Sequence, residues 1–259
     1  MKQERKYQII IAALCAIIIM QLLFMVAGRP RKEKKPLPPA IKGKIAIVID
    51  DWGYNLKNLR IVDEAKFPFT ASVLPRLGYS KRVAEELHNR GIEVILHLPM
   101  EPHEKYRLEK NTILTSMSEA AIIGILNDDL ADIKFAKGVS NHMGSSATED
   151  AKTMETVFKE LKKRRLYFLD SFVSGKSVCT QLAPKYGIAF IKRDIFLDNQ
   201  EDPVYIRSQL EKLKLRARRK GYAVGIGHDR RVTLETLKEA VPELEKEGYK
   251  FVFLSDLLK

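Results

Sequence analysis

From Lys44 onward the sequence predicts a barrel of seven or eight parallel strands wrapped by helices, set behind one N-terminal transmembrane helix. Three observations carry this. Apolar runs of strand length alternate with stretches of helical period throughout this region, and such alternation calls for parallel strands joined by crossovers. Seven or eight such units fit into about 215 residues, which favours a closed or nearly closed barrel over an open sheet. Finally, the run Ile9–Gly28 is apolar except for Gln21, about the length that crosses a bilayer core.

Lys2, Arg5 and Lys6 precede the apolar run, as in a signal sequence. The run exceeds the usual signal-peptide core, and Val26-Ala27-Gly28 is a weak cleavage pattern, so residues 1–28 read as an uncleaved signal anchor. A buried core helix is a poor alternative, because nothing amphipathic or capped surrounds the run. Residues 29–43 then form a basic, Pro-rich linker, with four prolines and five basic residues between Arg29 and Ala40. Three basic residues precede the apolar run and five follow it closely; a strict positive-inside count places the domain at 44–259 in the cytoplasm.

Within that domain the expected strands are Ile45–Asp50, Phe69–Leu74, Glu93–Leu98, Gly138–Ser140, Tyr167–Leu169, Ile188–Ile191, Tyr222–Gly227 and Phe251–Leu254. The expected helices are Leu56–Ala65, Lys81–Arg90, Ser118–Ile133, Glu149–Arg165, Pro203–Lys220 and Leu234–Glu247. Ser118 followed by Glu119, and Thr148 followed by Glu149 and Asp150, read as helix starts with acids in the first turn.

Charge and cysteine content exclude several classes. The chain carries a formal +12, but residues 1–42 hold +7 of it and the remaining 217 residues only +5. The excess flanks the apolar segment, where it suits lipid headgroups. No basic stripe is interleaved with aromatics, and no helix-turn-helix or zinc-finger spacing occurs, so nucleic acid is not an expected partner. Cys15 and Cys179 are the two cysteines and form no disulfide framework. The basic runs Lys159–Arg165 and Lys212–Lys220 read as solvated helix faces. Ser174-Gly175-Lys176-Ser177 looks like the end of a phosphate-binding loop, but Asp170 stands where the first glycine is required.

The chemistry collects at the C-terminal ends of the strands. There lie Asp50 and Asp51, His97, Asn141 and His142, Asp170 and Ser171, Arg193 and Asp194, and His228. Three of the five histidines fall on this one rim, the rim that carries active sites in parallel barrels. Two imidazoles and a carboxylate from different strands make a metal set; zinc accepts these donors and keeps a position open for catalysis. A second carboxylate beside the set can take a proton from the attacking water. A buried strand therefore has reason to end on two acids, one for the metal and one for the proton. Successive strand residues face opposite ways, so both acids reach one site only if the chain turns there, and Gly53 permits such a turn. His88, in mid-helix, and His103, in a Pro-flanked loop, read as hydrogen-bonded groups rather than ligands. Asp170 and Asp194 either orient a catalytic group or cap the next helix.

The stretches "IAIVIDDWGYN", "VILHLPMEP", "GVSNHMGSSAT", "YFLDS", "RDIFLDN" and "GIGHDR" together resemble the divergent polysaccharide deacetylases, an outlying branch of the NodB-type superfamily, over about residues 44–259. The resemblance implies a distorted (β/α) barrel of glycoside hydrolase/deacetylase type, a divalent metal, usually zinc, and hydrolysis of an N- or O-acetyl group on a carbohydrate polymer. It implies that Asp50 is the general base and Asp51 a metal ligand. His97 matches the first histidine of the His-x-x-x-His-Pro metal motif. Glu101 stands before Pro102 where the second is expected, and His142 is the implied substitute. His228 resembles the late histidine that acts as general acid. The arginine-containing and Asp-Trp groove motifs of typical members are not recognisable, and Asp170, Arg193 and Asp194, with Asn141, are the implied supporting residues.

Two functions follow. The first is a membrane-anchored, extracytoplasmic, metal-dependent hydrolase acting on an acetylated envelope glycan; here the resemblance overrides the charge count on location. The second is a non-catalytic envelope protein that keeps the barrel and a metal in order to bind a glycan or a protein partner.

Overall fold

The computed structural model describes residues 2–27 and 41–258; the linker expected at 29–43 lies mostly outside the described residues. Two compact units result, each taken by itself. The first contains α1 (Lys2–Ala27), whose stretch Gln3–Met25 has a mean hydropathy of 2.5 and no buried surface. It is one helix long and apolar enough to cross a membrane, near the N-terminus.

The second unit is built on nine strands: β1 (Gly43–Trp52), β2 (Thr70–Val73), β3 (Glu93–Met100), β4 (Gly138–Met143), β5 (Tyr167–Asp170), β6 (Phe190–Lys192), β7 (Ile195–Phe196), β8 (Tyr222–His228) and β9 (Tyr249–Val252). Their order is β6-β5-β4-β3-β2-β1-β8-β7. Every pairing is parallel. β9 pairs with the first half of β1 and β2 with the second half, so one long strand serves three neighbours. The ends of this curled sheet approach through residues 193–197. Arg193 N–H donates to Asp170 O at 3.0 Å, while Asp194 N–H donates to Val224 O at 2.9 Å and Leu197 N–H to Ile226 O at 2.8 Å. The result is an incompletely closed parallel barrel: the strand–helix alternation predicts a closed or nearly closed one, and the family resemblance implies its distortion.

Seven helices belong to this unit: α2 (Leu59–Glu64), α3 (Ser80–Asn89), α4 (Glu119–Asp132), α5 (Ala151–Arg164), α6 (Cys179–Tyr186), α7 (Pro203–Lys220) and α8 (Arg231–Lys246). Alternate strand residues face them. Ile45, Ile47 and Ile49 join helix residues such as Val83, Leu126, Phe158, Leu213 and Leu237 in the larger core. The other parity, Ala46, Val48, Ile95, Leu169, Val224 and Ile226, fills the barrel interior in a second cluster. A strand buried on both faces has no polar register to show, which is why β1 reads as a continuous apolar run.

Boundaries differ from expectation where side chains have other work. Ser118 caps α4, its hydroxyl accepting from Ala121 N–H at 3.2 Å. Thr148 does not start α5: its hydroxyl donates to Gly144 O at 2.7 Å, and Asp150 is the cap, accepting from Thr153 N–H at 2.7 Å. The last strand begins at Tyr249 and ends at Val252, with Leu254 entering a 3₁₀ turn. Two elements carry too little pattern to predict: β7, only two residues long, and α6, which contains Pro184 and ends on Gly187 in the left-handed region.

Candidate metal centre

β1 delivers both acids to the rim by breaking its own ladder. Ile49 pairs with Ala71 and Trp52 with Val73, so the strand gains a residue against β2 over this step, a β-bulge. The turn is made at Asp51 itself, at φ 65°, not first at Gly53 as the sequence suggests. Asp50 holds its place in the ladder with β8, opposite His228. Bulge and left-handed residue together let adjacent carboxylates face one site. Left-handed backbone is costly for a non-glycine residue, and Asp51, Arg76, Met143 and Phe172 adopt it beside the ends of β1, β2, β4 and β5. The backbone strain gathers on the rim where the chemistry is.

Asp51, His97 and His142 offer donor atoms that all lie within 4.8 Å of one another. Asp51 Oδ1 is 3.3 Å from His97 Nε2 and 3.1 Å from His142 Nδ1, and the two ring nitrogens are 3.3 Å apart. His97 and His142 sit on neighbouring strands with their rings near perpendicular, at 74°. Burial alone raises the Asp51 carboxyl, but hydrogen bonds and charge from His142 and His97 hold it far below the usual carboxylate range. The His142 nitrogen that faces the group is Nδ1, 3.1 Å from Asp51 and 3.3 Å from His97 Nε2. Three converging donors, one with a persistent negative charge, fit a divalent cation.

Next to His97 the interior carries a pair of hydroxyls above its apolar cluster. His97 Nδ1 lies 2.8 Å from the Ser140 hydroxyl, which lies 2.7 Å from that of Ser72, and both serines are fully buried. With the Nδ1 proton on Ser140, Nε2 presents its lone pair to the centre, the arrangement a ligating histidine needs. Ser140→Ala removes that acceptor from a site water does not reach. The expected outcome is a metal affinity lower by about 10–100-fold, the usual worth of such a partner, measured by competition with a chelator.

Asp50 stands beside the triad rather than in it. Its Oδ2 is 3.7 Å from His97 Nε2, and Oδ1 is buried with no partner. Burial raises its pKa, against the lowering influence of His97 and His228. His228 is held by a residue the sequence reading passed over, Asp198. The Asp198 carboxylate lies 2.8 Å from His228 Nδ1 and accepts from the His228 backbone N–H at 2.8 Å and the Thr233 hydroxyl at 2.7 Å. This leaves Nε2 as the free ring nitrogen. Burial lowers the His228 pKa, but the hydrogen bond and charge of Asp198, with Asp50 and Asp51, outweigh it and the net shift is upward. Phe196 stacks on the imidazole, rings 6.0 Å apart, and the Arg193 guanidinium covers Phe196 at 3.6 Å.

The remaining candidates fall into two groups. Asn141 and Asp170 pin the rim loops. Asn141 Oδ1 accepts from Ser171 N–H at 2.9 Å, and Asp170 accepts from Phe172 N–H and the Ser177 hydroxyl, both at 2.7 Å. Arg193 closes the same loop by donating to Ser171 O and Phe172 O. Asp194 lies elsewhere. Its carboxylate bonds Lys220 Nζ at 2.7 Å and Val224 N–H at 3.0 Å, tying α7 to β8 four residues before His228. Glu101, in the place of the second motif histidine, is turned to Thr115, whose N–H and hydroxyl donate to Oε2 at 2.6 and 2.7 Å. His88 stacks on Phe135 and His103 faces Glu149 at 3.2 Å, so neither joins the centre.

Residues 47–258 match the family described as divergent polysaccharide deacetylase. The chain belongs to that family. It is 37% identical over 206 residues to the uncharacterized protein YibQ of Escherichia coli (strain K12), a match that covers 80% of this chain and 65% of that one. The matched segment therefore spans less than two thirds of the E. coli protein. Among solved structures, an uncharacterized protein of Agrobacterium tumefaciens C58 superposes with a TM-score of 0.80 at 24% identity, covering 86% of this chain and 92% of that one. The catalytic domain of a peptidoglycan N-acetylglucosamine deacetylase from Eubacterium rectale superposes with a TM-score of 0.50 at 17% identity, covering 87% and 94%. At these identities the two structures speak to the fold alone.

Proposed function

We propose that this chain is a metal-dependent hydrolase that removes acetyl groups from an envelope polysaccharide. The observation that carries the proposal is one constellation on one rim: Asp51, His97 and His142 converging, Asp50 beside them, and the His228–Asp198 pair opposite Asp50 across the β1–β8 ladder. Asp51, His97 and His142 would hold the ion, and zinc suits two nitrogens and one oxygen. Such an ion supplies Lewis acidity toward the acetyl carbonyl and eases deprotonation of water.

The chain's own residues supply the proton transfers. Asp50 accepts a proton as the water oxygen bonds to the acetyl carbon. His228, protonated on Nε2 and oriented through Nδ1 by Asp198, gives a proton to the sugar nitrogen or oxygen as its bond to the acyl carbon breaks. The products are acetate and the free amine or hydroxyl. Asn141, Asp170 and Arg193 fix the loops around this chemistry, while Asp194 braces the barrel wall. The apolar, unburied α1 supports the reading of residues 1–28 as an anchor, with 29–43 a linker and the barrel at 44–259 outside the cytoplasm, where an envelope glycan lies.

Metal-loaded full chain incubated with acetylated oligosaccharides should release acetate, and removing the metal should abolish the release. Metal uptake without release from N- or O-acetylated substrates would contradict the proposal. Asp198→Asn carries a finer expectation. Because Asp198 raises the His228 pKa, its neutral replacement lets His228 lose its proton at lower pH, so the alkaline limb of the pH–rate profile moves toward acid. Asn also permits the wrong imidazole tautomer, so the rate falls even at the optimum. An unmoved alkaline limb would remove His228 from the acid role.

A further inference from the structure

We infer that the cleft between the loops following β1, β2 and β3 is a subsite for an anionic unit of the substrate, a carboxylate-bearing sugar. The inference rests on the deacetylase reading for the class of polymer and on the cleft itself for the charge. The cleft encloses about 490 Å³ and is lined by Tyr54, Arg76, Leu77, Arg107, Glu109 and Lys110, among others. That volume lies within the range of small-molecule sites. Its three loops leave the rim that carries Asp51 on β1 and His97 on β3, and Tyr54 lies three residues beyond Asp51. A saccharide chain lying in the cleft therefore leads toward the proposed metal centre.

Three cations line the cleft, and their situations differ. Arg76 is already neutralised from behind. Its Nε lies 3.0 Å from Asp129 Oδ1, its other nitrogen 3.0 Å from Asp128, and its backbone N–H donates to Asp132 at 2.7 Å. That left-handed residue fastens the β2 loop to α4. Arg107 and Lys110 are exposed and have no acidic partner among the described residues. The acid between them, Glu109, is turned to the Tyr54 hydroxyl, which donates to it at 2.6 Å. The cleft thus presents two cations with no ion-pair partner, and one carboxylate, Glu109, beside the exposed Tyr54 ring, a net positive lining. An aromatic face takes the C–H face of a pyranose, and guanidinium and ammonium groups take its acid. A neutral sugar leaves both cations without a counter-charge. Carboxylate and phosphate share the chemistry these groups recognise, so the experiment separates them.

The test is calorimetric titration of the metal-loaded full chain with three ligands of equal length: an acetylated oligoglucuronate, the same oligosaccharide with its carboxyls reduced to alcohols, and a glycosyl phosphate. The oligoglucuronate should bind roughly tenfold tighter than its reduced form, the sum of two exposed charge contacts, and high salt should shrink the difference. In the double variant Arg107→Gln/Lys110→Gln the advantage should vanish. It should persist in Arg218→Gln/Arg219→Gln, which removes the same charge from the exposed end of α7. Equal affinity of the wild-type chain for the first two ligands overturns the inference, as does an advantage that survives in the cleft variant. Tighter binding of the glycosyl phosphate through the same two residues overturns the carboxylate assignment. Binding is read apart from turnover. Charge-selective binding without acetate release contradicts the deacetylase reading and supports this one, whereas acetate release with equal KM for acidic and neutral oligosaccharides overturns this one alone.

Discussion

Asp50→Asn lowers the rate of acetyl release by roughly 10²–10⁴-fold, the usual worth of a general base, while metal content stays at the wild-type level. The expectation follows from where the carboxylate stands. Asp50 is outside the ligand group and 3.7 Å from the His97 nitrogen that belongs to it. Its Oδ1 is buried without a partner, an unusual state for a carboxylate unless something that binds there completes it. Asn keeps the shape and cannot take the proton. It also keeps the β1–β8 ladder, so unfolding should not explain a loss of rate. Metal content and acetate release measured side by side for Asp50→Asn and Asp51→Asn decide the matter. Equal loss of metal in both would make both acids ligands and leave no base on β1. Unchanged turnover in Asp50→Asn would remove the mechanism.

His142→Ala should cut metal affinity by more than the 10–100-fold typical of an outer partner, because a three-residue site loses one of its own donors. Glu101→Ala should leave affinity nearly intact and instead loosen the loop that Thr115 anchors to it. The contrast matters because a histidine is expected by motif at position 101, and the proposed substitute, His142, stands on β4. A His142→Ala protein that binds zinc as tightly as wild type, beside a Glu101→Ala protein that does not, would return the role to Glu101.

How much of this was legible in the sequence depends on the element. β1, β3, β5 and β8 announce themselves as apolar runs with Asp or His at or near their C-terminal ends, because parallel strands covered on both sides need no polar alternation. The interior hydroxyl pair was legible in principle: Ser72 and Ser140 interrupt apolar strands at positions of interior parity, and a buried hydroxyl asks for a partner. The bulge was not, because nothing marks Asp51 as left-handed while the next glycine, Gly53, offers an easier turn. One miss explains another. Without the two-residue β7, Asp194 is counted as the end of the preceding strand and placed on the rim. In the structure Asp194 comes before β7, level with Val224, and Asp198 comes after it, bonded to His228. The rim acid lies in the same stretch "RDIFLDN", four residues after Asp194.

The central claim is that Asp51, His97 and His142 form a metal centre. Crystals of the full chain grown with zinc, with diffraction recorded on both sides of the zinc absorption edge, test it most directly. The account predicts one strong anomalous peak within bonding distance of Asp51, His97 and His142, about 2.0–2.2 Å from each donor, with Asp50 outside that distance. A peak bonded to Glu101, a peak ligated equally by Asp50 and Asp51, or no peak on this rim would contradict it.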